Sequence, residues 1–180
     1  MPCHLLPYNI LIMLQRTLII IKPDGVAGGF TDEIIKRYEA VGLKVVKRKD
    51  LMAPFDIVEK HYPMDPSYLK SIGEKTIAAG QAVKSAEDQG RKVVGWLRKF
   101  ITSGPIVVLL LEGEDAIAVA RKVTGFTDPQ TAEKGTIRGD LGTDNILKAN
   151  QEERPVYNLI HASGSEEEAE KEIKLWFGES

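Results

Sequence analysis

In "NLIHASGS", residues 158–165, an imidazole stands where an apolar run gives way to small residues. Leu159 and Ile160 lead into His161, and Ala162, Ser163, Gly164 and Ser165 follow it. A neutral imidazole is a good nucleophile near pH 7, and small neighbours leave its ring nitrogens accessible. Glu172 lies seven residues beyond Ser165, beside Ile173, at the edge of a helical apolar stripe. A carboxylate there could orient the ring, stabilise its charged form and raise its basicity. The bare alternative is a core histidine with its polar atoms satisfied, next to one more solvated acid.

A second group of residues is suited to anions. Arg121 falls four residues after Ile117, at the border of its helix's apolar stripe, an awkward place for a guanidinium that has no anion to meet. Arg138 sits in "GTIRGD", whose glycines let backbone approach a ligand, and Thr127 and Thr136 add hydroxyls to the same stretch. Lys22 closes a buried-type strand, where sheet proteins place functional side chains. The planar fork of arginine suits bidentate phosphate contacts. Taken singly, each cation reads equally as half of a surface salt bridge. A backbone phosphate loop is excluded, because no GxxxxGK[ST] occurs and Gly25, Gly28 and Gly29 do not fit GxGxxG. Any phosphate must be held by side chains.

The elements that would position these groups follow from pattern. "RTLIII" (16–21) reads as a strand, stopped by the turn chemistry of "KPDGVAGG". Thr31 is placed to cap a helix carrying Asp32 and Glu33 in its first turn, with Ile34, Ile35, Tyr38 and Val41 as its apolar face and Gly42 at its end. "LKVVKRKDLM" reads as a second strand, and Phe55 to Tyr62 as a short helix closed by Pro63. Residues 63–92 read as an inserted surface segment whose composition permits a helix around 75–86. "VVGWLRKF" resumes an amphipathic helix, "GPIVVLLLEG" is a strand, and "EDAIAVARKVTG" is a helix with Gly125 past its end. Residues 126–157 read as a long loop without periodicity. After "NLIHAS", Ser165 and Glu168 stand at capping-box spacing ahead of an Ala169, Ile173 and Trp176 stripe. This order of elements predicts an α+β fold, one mostly antiparallel sheet covered by helices.

Bulk composition narrows the function classes. At 180 residues, 43% hydrophobic and 28% charged, the chain has room for a single domain with a real core. A net charge of -2 argues against a polyanion-coating protein, so no nucleic-acid partner is expected. No apolar run reaches membrane-spanning length. The lone Cys3 excludes an internal disulfide and a cysteine-rich zinc site, and points to a reducing, cytoplasmic setting. Residues 1–13 lack the basic start and cleavage motif of a signal peptide and read as an N-terminal extension before a domain at 14–180.

Together these residues resemble the nucleoside diphosphate kinases. The matching stretches are "RTLIIIKPDGV", "EIIKRYEAVGLKVV", "HY" at 61–62, "SGPIVVLLLEG", "GFTDPQTAEKGTIRGD" and "NLIHASGSEEEAEKEIKLWF". The resemblance implies a ferredoxin-like α+β fold with surface inserts near 63–92 and 142–154. It implies γ-phosphoryl transfer from nucleoside triphosphates to nucleoside diphosphates by a ping-pong route, with His161 as the phosphoryl carrier. Glu172 and Ser163 correspond to the pair that positions its ring. Arg121, Thr127 and Arg138 match the phosphate clamp. Tyr62 lies near the transferred group, while Lys22 and Asn158 match residues that hold the ribose hydroxyls and bridge toward the phosphates. Mg²⁺ would arrive on the nucleotide, with no protein metal site, and the assembly would be a homo-oligomer, most often a hexamer. Two other functions fit the same fold: a catalytically idle nucleotide-binding module, and a phosphohistidine relay to protein partners.

The chain departs from the family pattern beside the base. The aromatic residue expected soon after "HY" is displaced by the insert, leaving Val93 or Trp96 nearest by count. Pro155 and Tyr157 stand where an aliphatic residue and an arginine are common.

Overall fold

In the computed structural model, which describes residues 14–178, the first strand is β1 (Leu14–Ile21). Its side chains Leu18, Ile19, Ile20 and Ile21 are all fully buried. An unbroken apolar run of this kind requires cover on both faces of the sheet. The same holds for β3 (Pro105–Glu114), whose run Ile106–Leu111 is also buried. Period-two alternation sorts these residues into two cores. Leu18, Ile20, Ile106, Val108 and Leu110 belong to one, and Ile19, Ile21, Val107, Leu109 and Leu111 to the other.

With β2 (Lys44–Met52) and β4 (Ile160–Ala162) the sheet has four strands in the order β2-β3-β1-β4, every pair antiparallel. A bulge interrupts β2 between Val45 and Lys47. The architecture is the expected α+β, ferredoxin-like one. On one face lie α2 (Thr31–Ala40) and α6 (Ala116–Thr124), which bury Ile34, Tyr38, Ala116 and Ala120. On the other lie α3 (Phe55–His61), α4 (Pro66–Ala78), α5 (Ala86–Ile101) and α9 (Glu166–Phe177), which supply Val58, Leu69, Val94, Ile101, Ala169, Ile173 and Trp176.

Several local expectations are corrected. "KPDGVAGG" is not all turn, because Pro23 starts a short helix α1 (Pro23–Ala27), the position where its fixed φ and missing N–H cost least. The N-cap of α2 is Phe30 with no side-chain cap bond, so Thr31 is its first helical residue and not its cap. The helix expected around 75–86 is instead α4, which begins at Pro66. There Asp65 accepts from the Tyr68 N–H at 2.9 Å, and Ser85 caps α5 in the same way through Asp88 at 3.1 Å. The two helices form a tight hairpin: a Cβ on Gly73 would lie 1.8 Å from the Ala86 carbonyl oxygen, and one on Gly90 1.8 Å from that of Leu69. Segment 63–92 is thus largely ordered helix and carries core, with Leu69 fully buried. The loop at 126–157 contains α7 (Ile137–Leu141) and α8 (Ile146–Gln151), each too short to leave a periodic signature. Ser165 caps α9 through the Glu168 N–H at 3.2 Å, but the Glu168 carboxylate turns to the Gly164 N–H at 2.7 Å, so the reciprocal half of the box is displaced by one residue. Residues 1–13, read as an extension, lie outside the described residues. Among those described, no helix is long and apolar enough to cross a membrane.

Candidate active site

His161 lies in β4 directly across from Ile20 of β1. Directly paired antiparallel residues share a face, so the imidazole points to the same side as Ile20, toward α3 and α9. Two turns into α9, Glu172 meets it: Oε1 lies 2.8 Å from His161 Nε2, and Oε2 accepts from the Ser163 hydroxyl at 2.6 Å. Ser163 is fully buried, and its N–H donates to the Leu18 carbonyl at 3.1 Å, which fixes the hydroxyl to the sheet. With Nε2 donating to the carboxylate, the His161 lone pair is on Nδ1. Burial pushes the Glu172 carboxyl up, but the charge and hydrogen bond of His161 and the Ser163 hydroxyl outweigh it and hold the group at about 2. Glu172 therefore stays ionised across the working range.

The turn that delivers His161 is under strain. Leu159 has φ of +68°, and the Ile160 N–H bonds the Asn158 carbonyl at 2.7 Å, closing a three-residue γ-turn of the rare hand. Neighbouring groups hold it. The Lys22 N–H donates to the Leu159 carbonyl at 2.8 Å, and the Asp24 carboxylate accepts from the Leu159 N–H at 2.9 Å. Gly25 is required beneath, since a Cβ there would lie 3.0 Å from the Leu159 oxygen.

Arg138 serves the same turn. Its guanidinium donates to the carbonyls of Asn158 at 3.0 Å, Gly125 at 3.1 Å and Ile160. Burial lowers its pKa to about 10, so it stays charged near neutrality, and the remaining N–H groups of its fork face the cleft. Gly125 must be glycine twice over: its φ is +87°, and a Cβ would meet the Thr136 hydroxyl at 2.4 Å. Thr136 itself is the α7 cap, accepting from the Gly139 N–H at 3.1 Å, so its hydroxyl is structural. Lys22 is buried with its ammonium 2.7 Å from Asn158 Oδ1, and the Asn158 amide in turn donates to the Thr127 carbonyl at 2.8 Å. Burial first, and Arg138 second, lower the Lys22 pKa to about 7 against the opposing pull of Asp24.

All these groups line one cleft of about 780 Å³: Lys22, Tyr62, Arg121, Thr127, Arg138, Asn158, His161 and Glu172. Ser163 is behind it, bonded to Glu172. These residues therefore share one locality, whereas Thr136, also offered as an anion-binding hydroxyl, does not line the cleft. Of the two suggested base platforms, Val93 lines the cleft; Trp96 does not, being on another side of α5, and Leu97 takes its place. Pro155, Ile146, Ala149 and Asn150 form part of the opposite wall.

The sequence reading leaves out one residue of the site. His61, the partner of Tyr62 in "HY", stacks edge-on against His161 with ring centroids 4.5 Å apart. It is buried, and its Nδ1 accepts from the Trp176 indole N–H at 3.2 Å. Burial, then the neighbouring His161 charge, lower its pKa to about 3, which keeps it neutral. Ile57 and Val58, one turn earlier in α3, give no hint of this role; the signal is the "HY" pair itself. His61, His161 and Glu172 bring their donor atoms within 4.8 Å of one another, but two imidazoles and an engaged carboxylate are not the oxygen cage that Mg²⁺ takes.

A sequence profile described as nucleoside diphosphate kinase matches residues 15–72 and 73–180. The chain belongs to the nucleoside diphosphate kinase family. The two matched stretches meet inside α4. A nucleoside diphosphate kinase of Pyrobaculum aerophilum is 43% identical over 176 residues, covering 92% of this chain and 96% of that protein. One from Pyrococcus furiosus is 41% identical, covering 91% and 83%. The crystal structure of the Pyrobaculum aerophilum kinase superimposes with a TM-score of 0.86 at 41% identity, covering 92% of this chain and 96% of that one. That of the Borrelia burgdorferi kinase, a transition-state mimic with bound vanadate and ADP, gives 0.75 at 36% identity, covering 91% and 87%. The enzyme moves a γ-phosphoryl group from nucleoside triphosphates to nucleoside diphosphates by a ping-pong route through a phosphohistidine.

Proposed function

We propose that His161 is the phosphoryl carrier of this kinase, and that the cleft residues divide the remaining work. The observation that carries this is the Glu172 carboxylate, which ties Nε2 of His161 on one oxygen and the Ser163 hydroxyl on the other. Nδ1 attacks the γ-phosphorus of the triphosphate. A nitrogen–phosphorus bond forms as the bond to the β–γ bridging oxygen breaks, and the diphosphate leaves with that oxygen. A terminal phosphate oxygen of the second diphosphate then attacks the phosphohistidine and releases Nδ1. The Nε2 proton stays on the hydrogen bond to Glu172 throughout.

Arg121, Arg138 and Thr127 stabilise the charge that spreads over the transferred oxygens, with Tyr62 beside the reacting group. Lys22 and Asn158 bind the ribose hydroxyls and the adjoining phosphates. Kinases of this family use a divalent metal with the nucleotide. We take it to be Mg²⁺ carried in on the phosphates as part of the substrate, since the cleft presents no cluster of free carboxylates among the described residues. The active unit we propose is the domain 14–180, in a cytoplasmic homo-oligomer, most often a hexamer.

The test is incubation with γ-labelled ATP followed by a GDP chase. Wild type should carry acid-labile, base-stable label that moves to GTP. His161→Gln should neither label nor transfer, yet should still bind ADP. Histidine label on that variant would assign the carrier elsewhere.

A further inference from the structure

Helix α4 lies in segment 63–92, which the sequence suggests is an insert, and it has a fixed place in the cleft. Tyr68, Ser71, Ile72, Lys75 and Thr76 all line the cavity that holds His161. That spacing is a single helical face. The face cannot drift, because the Gly73 and Gly90 notches lock α4 onto α5 and Leu69 is buried beneath. The Thr76 hydroxyl also accepts from Asn150 of α8 at 3.4 Å, so the α4 and α8 walls are joined.

Within that face Lys75 is the cation. Its side chain is open to solvent at the cleft mouth, yet the cleft walls surround it enough to lower its pKa. Beside the walls themselves, the groups that act on it are Arg121 and Arg138, which lower it further, and Glu168, which opposes them. The Lys75 ammonium makes no hydrogen bond or salt bridge among the described residues. A third positive charge aimed at two guanidiniums is unfavourable unless a polyanion meets all three.

We propose that Lys75 is an additional contact to the phosphate chain of the bound nucleotide, supplied by the inserted helix and not by the core of the fold. This rests on the kinase reading above and explains what the insert contributes, which is one wall of the cleft and one more charge for the polyphosphate. A phosphate is favoured over the base or ribose as its target because Lys75 shares its electrostatic neighbourhood with Arg121 and Arg138. Glu168, from the first turn of α9, is the acid whose field opposes those two guanidiniums at Lys75.

Calorimetric titration of ADP into wild type, Lys75→Gln, Lys75→Glu and Lys75→Arg decides the matter, repeated from low salt to about 1 M, where exposed charges are screened. Lys75→Gln should weaken ADP about tenfold at low salt, the size expected for one charged hydrogen bond, and Lys75→Glu should weaken it more. Lys75→Arg should stay near wild type, and the loss should shrink as salt rises. At saturating ATP the label on His161 should still form in all three, since none of them removes the carrier. Unchanged ADP binding in Lys75→Gln overturns the proposal. So does an equal, salt-independent loss in the Gln and Glu variants, which would mark a packing role. If wild type takes no label from ATP, the kinase reading fails, while the ADP titrations still decide Lys75.

Discussion

Asp24 accepts the Leu159 N–H at 2.9 Å, which places a carboxylate from the first turn after β1 on the strained residue two positions ahead of His161. Its other oxygen is buried with no partner among the described residues, so the carboxylate is committed to this turn. Asp24→Ala should leave a partly buried N–H unpaired, at a cost of about 1–3 kcal/mol. It should also let the γ-turn relax toward ordinary φ. The expected outcome is a lower melting temperature together with a kcat reduced about tenfold, while Asp24→Asn, which keeps an acceptor, stays closer to wild type. A kcat unchanged in Asp24→Ala would mean that Arg138 and Lys22 hold the turn unaided.

Glu172→Gln keeps the shape of the side chain and loses its charge. Turnover should fall by about ten- to a hundredfold, well short of the loss in His161→Gln, because Glu172 orients the ring and does not react. Ser163→Ala should fall less again, since the carboxylate keeps its bond to the ring. Equal losses in Glu172→Gln and His161→Gln, read by the steady-state rate, would argue for a directly reacting acid.

Acid stability reports on His61 and on the same carboxylate. Glu172 is held near 2 against 4.5 in the unfolded chain, so its contribution is present above 4.5 and lost as pH falls toward 2. His61 is held near 3 against 6.5, so the unfolded chain takes up the proton first and stability declines as pH falls from 6.5 to 3. His61→Phe should flatten the upper part of the urea-midpoint profile and Glu172→Gln the lower part. A His61→Phe profile that still declines from 6.5 to 3 as wild type does would assign that decline to other groups.

The Lys22 ammonium titrates near 7, because burial first, and then Arg138 and Lys75, press it toward neutrality while Asp24 opposes them. A bound polyphosphate favours the charged form, so ADP binding above pH 7 must take up a proton. Affinity should fall as pH rises past 7, by up to about tenfold per unit. Titrations in buffers of different ionisation enthalpy would register that proton. A Lys22→Gln variant should bind more weakly but without this proton uptake, and uptake undiminished in the variant would place the titrating group elsewhere.

The parts of this fold legible in the sequence are those with long, uniform signals. β1 and β3 are apolar runs, α9 carries a serine cap and a stripe, and Gly125 ends α6. The pairing of His161 with Glu172 is legible too, because a strand, a tight turn and a helix of known rise leave little freedom in where they meet, whereas Ser163 enters only through the family resemblance. The rest depends on contacts distant in sequence. Residues 63–92 read as a polar surface because Gly73 and Gly90 resemble loop signals, whereas each is the notch that lets one helix backbone touch the other. The α7 and α8 helices are shorter than two turns and owe their order to Thr136 and Asn145 caps. His61 escapes a local reading since its burial comes from Trp176, more than a hundred residues away.

Among the described residues β4 pairs with β1 alone and forms an edge of the sheet, so the proposed carrier His161 rides on the segment with the fewest ladder bonds. Short edge strands fray, and local opening there is normally far easier than global unfolding. Arg138 stands in for the missing neighbour strand, donating to the carbonyls on either side of Leu159. Removing that guanidinium should therefore speed amide hydrogen exchange at Ile160 and His161. Replacing Arg138 would damage the enzyme twice, once by removing positive charge from the cleft and once by letting the histidine's own backbone breathe. These two losses separate in time: exchange protection reports the second with no nucleotide present, on a scale of minutes to hours that turnover never samples.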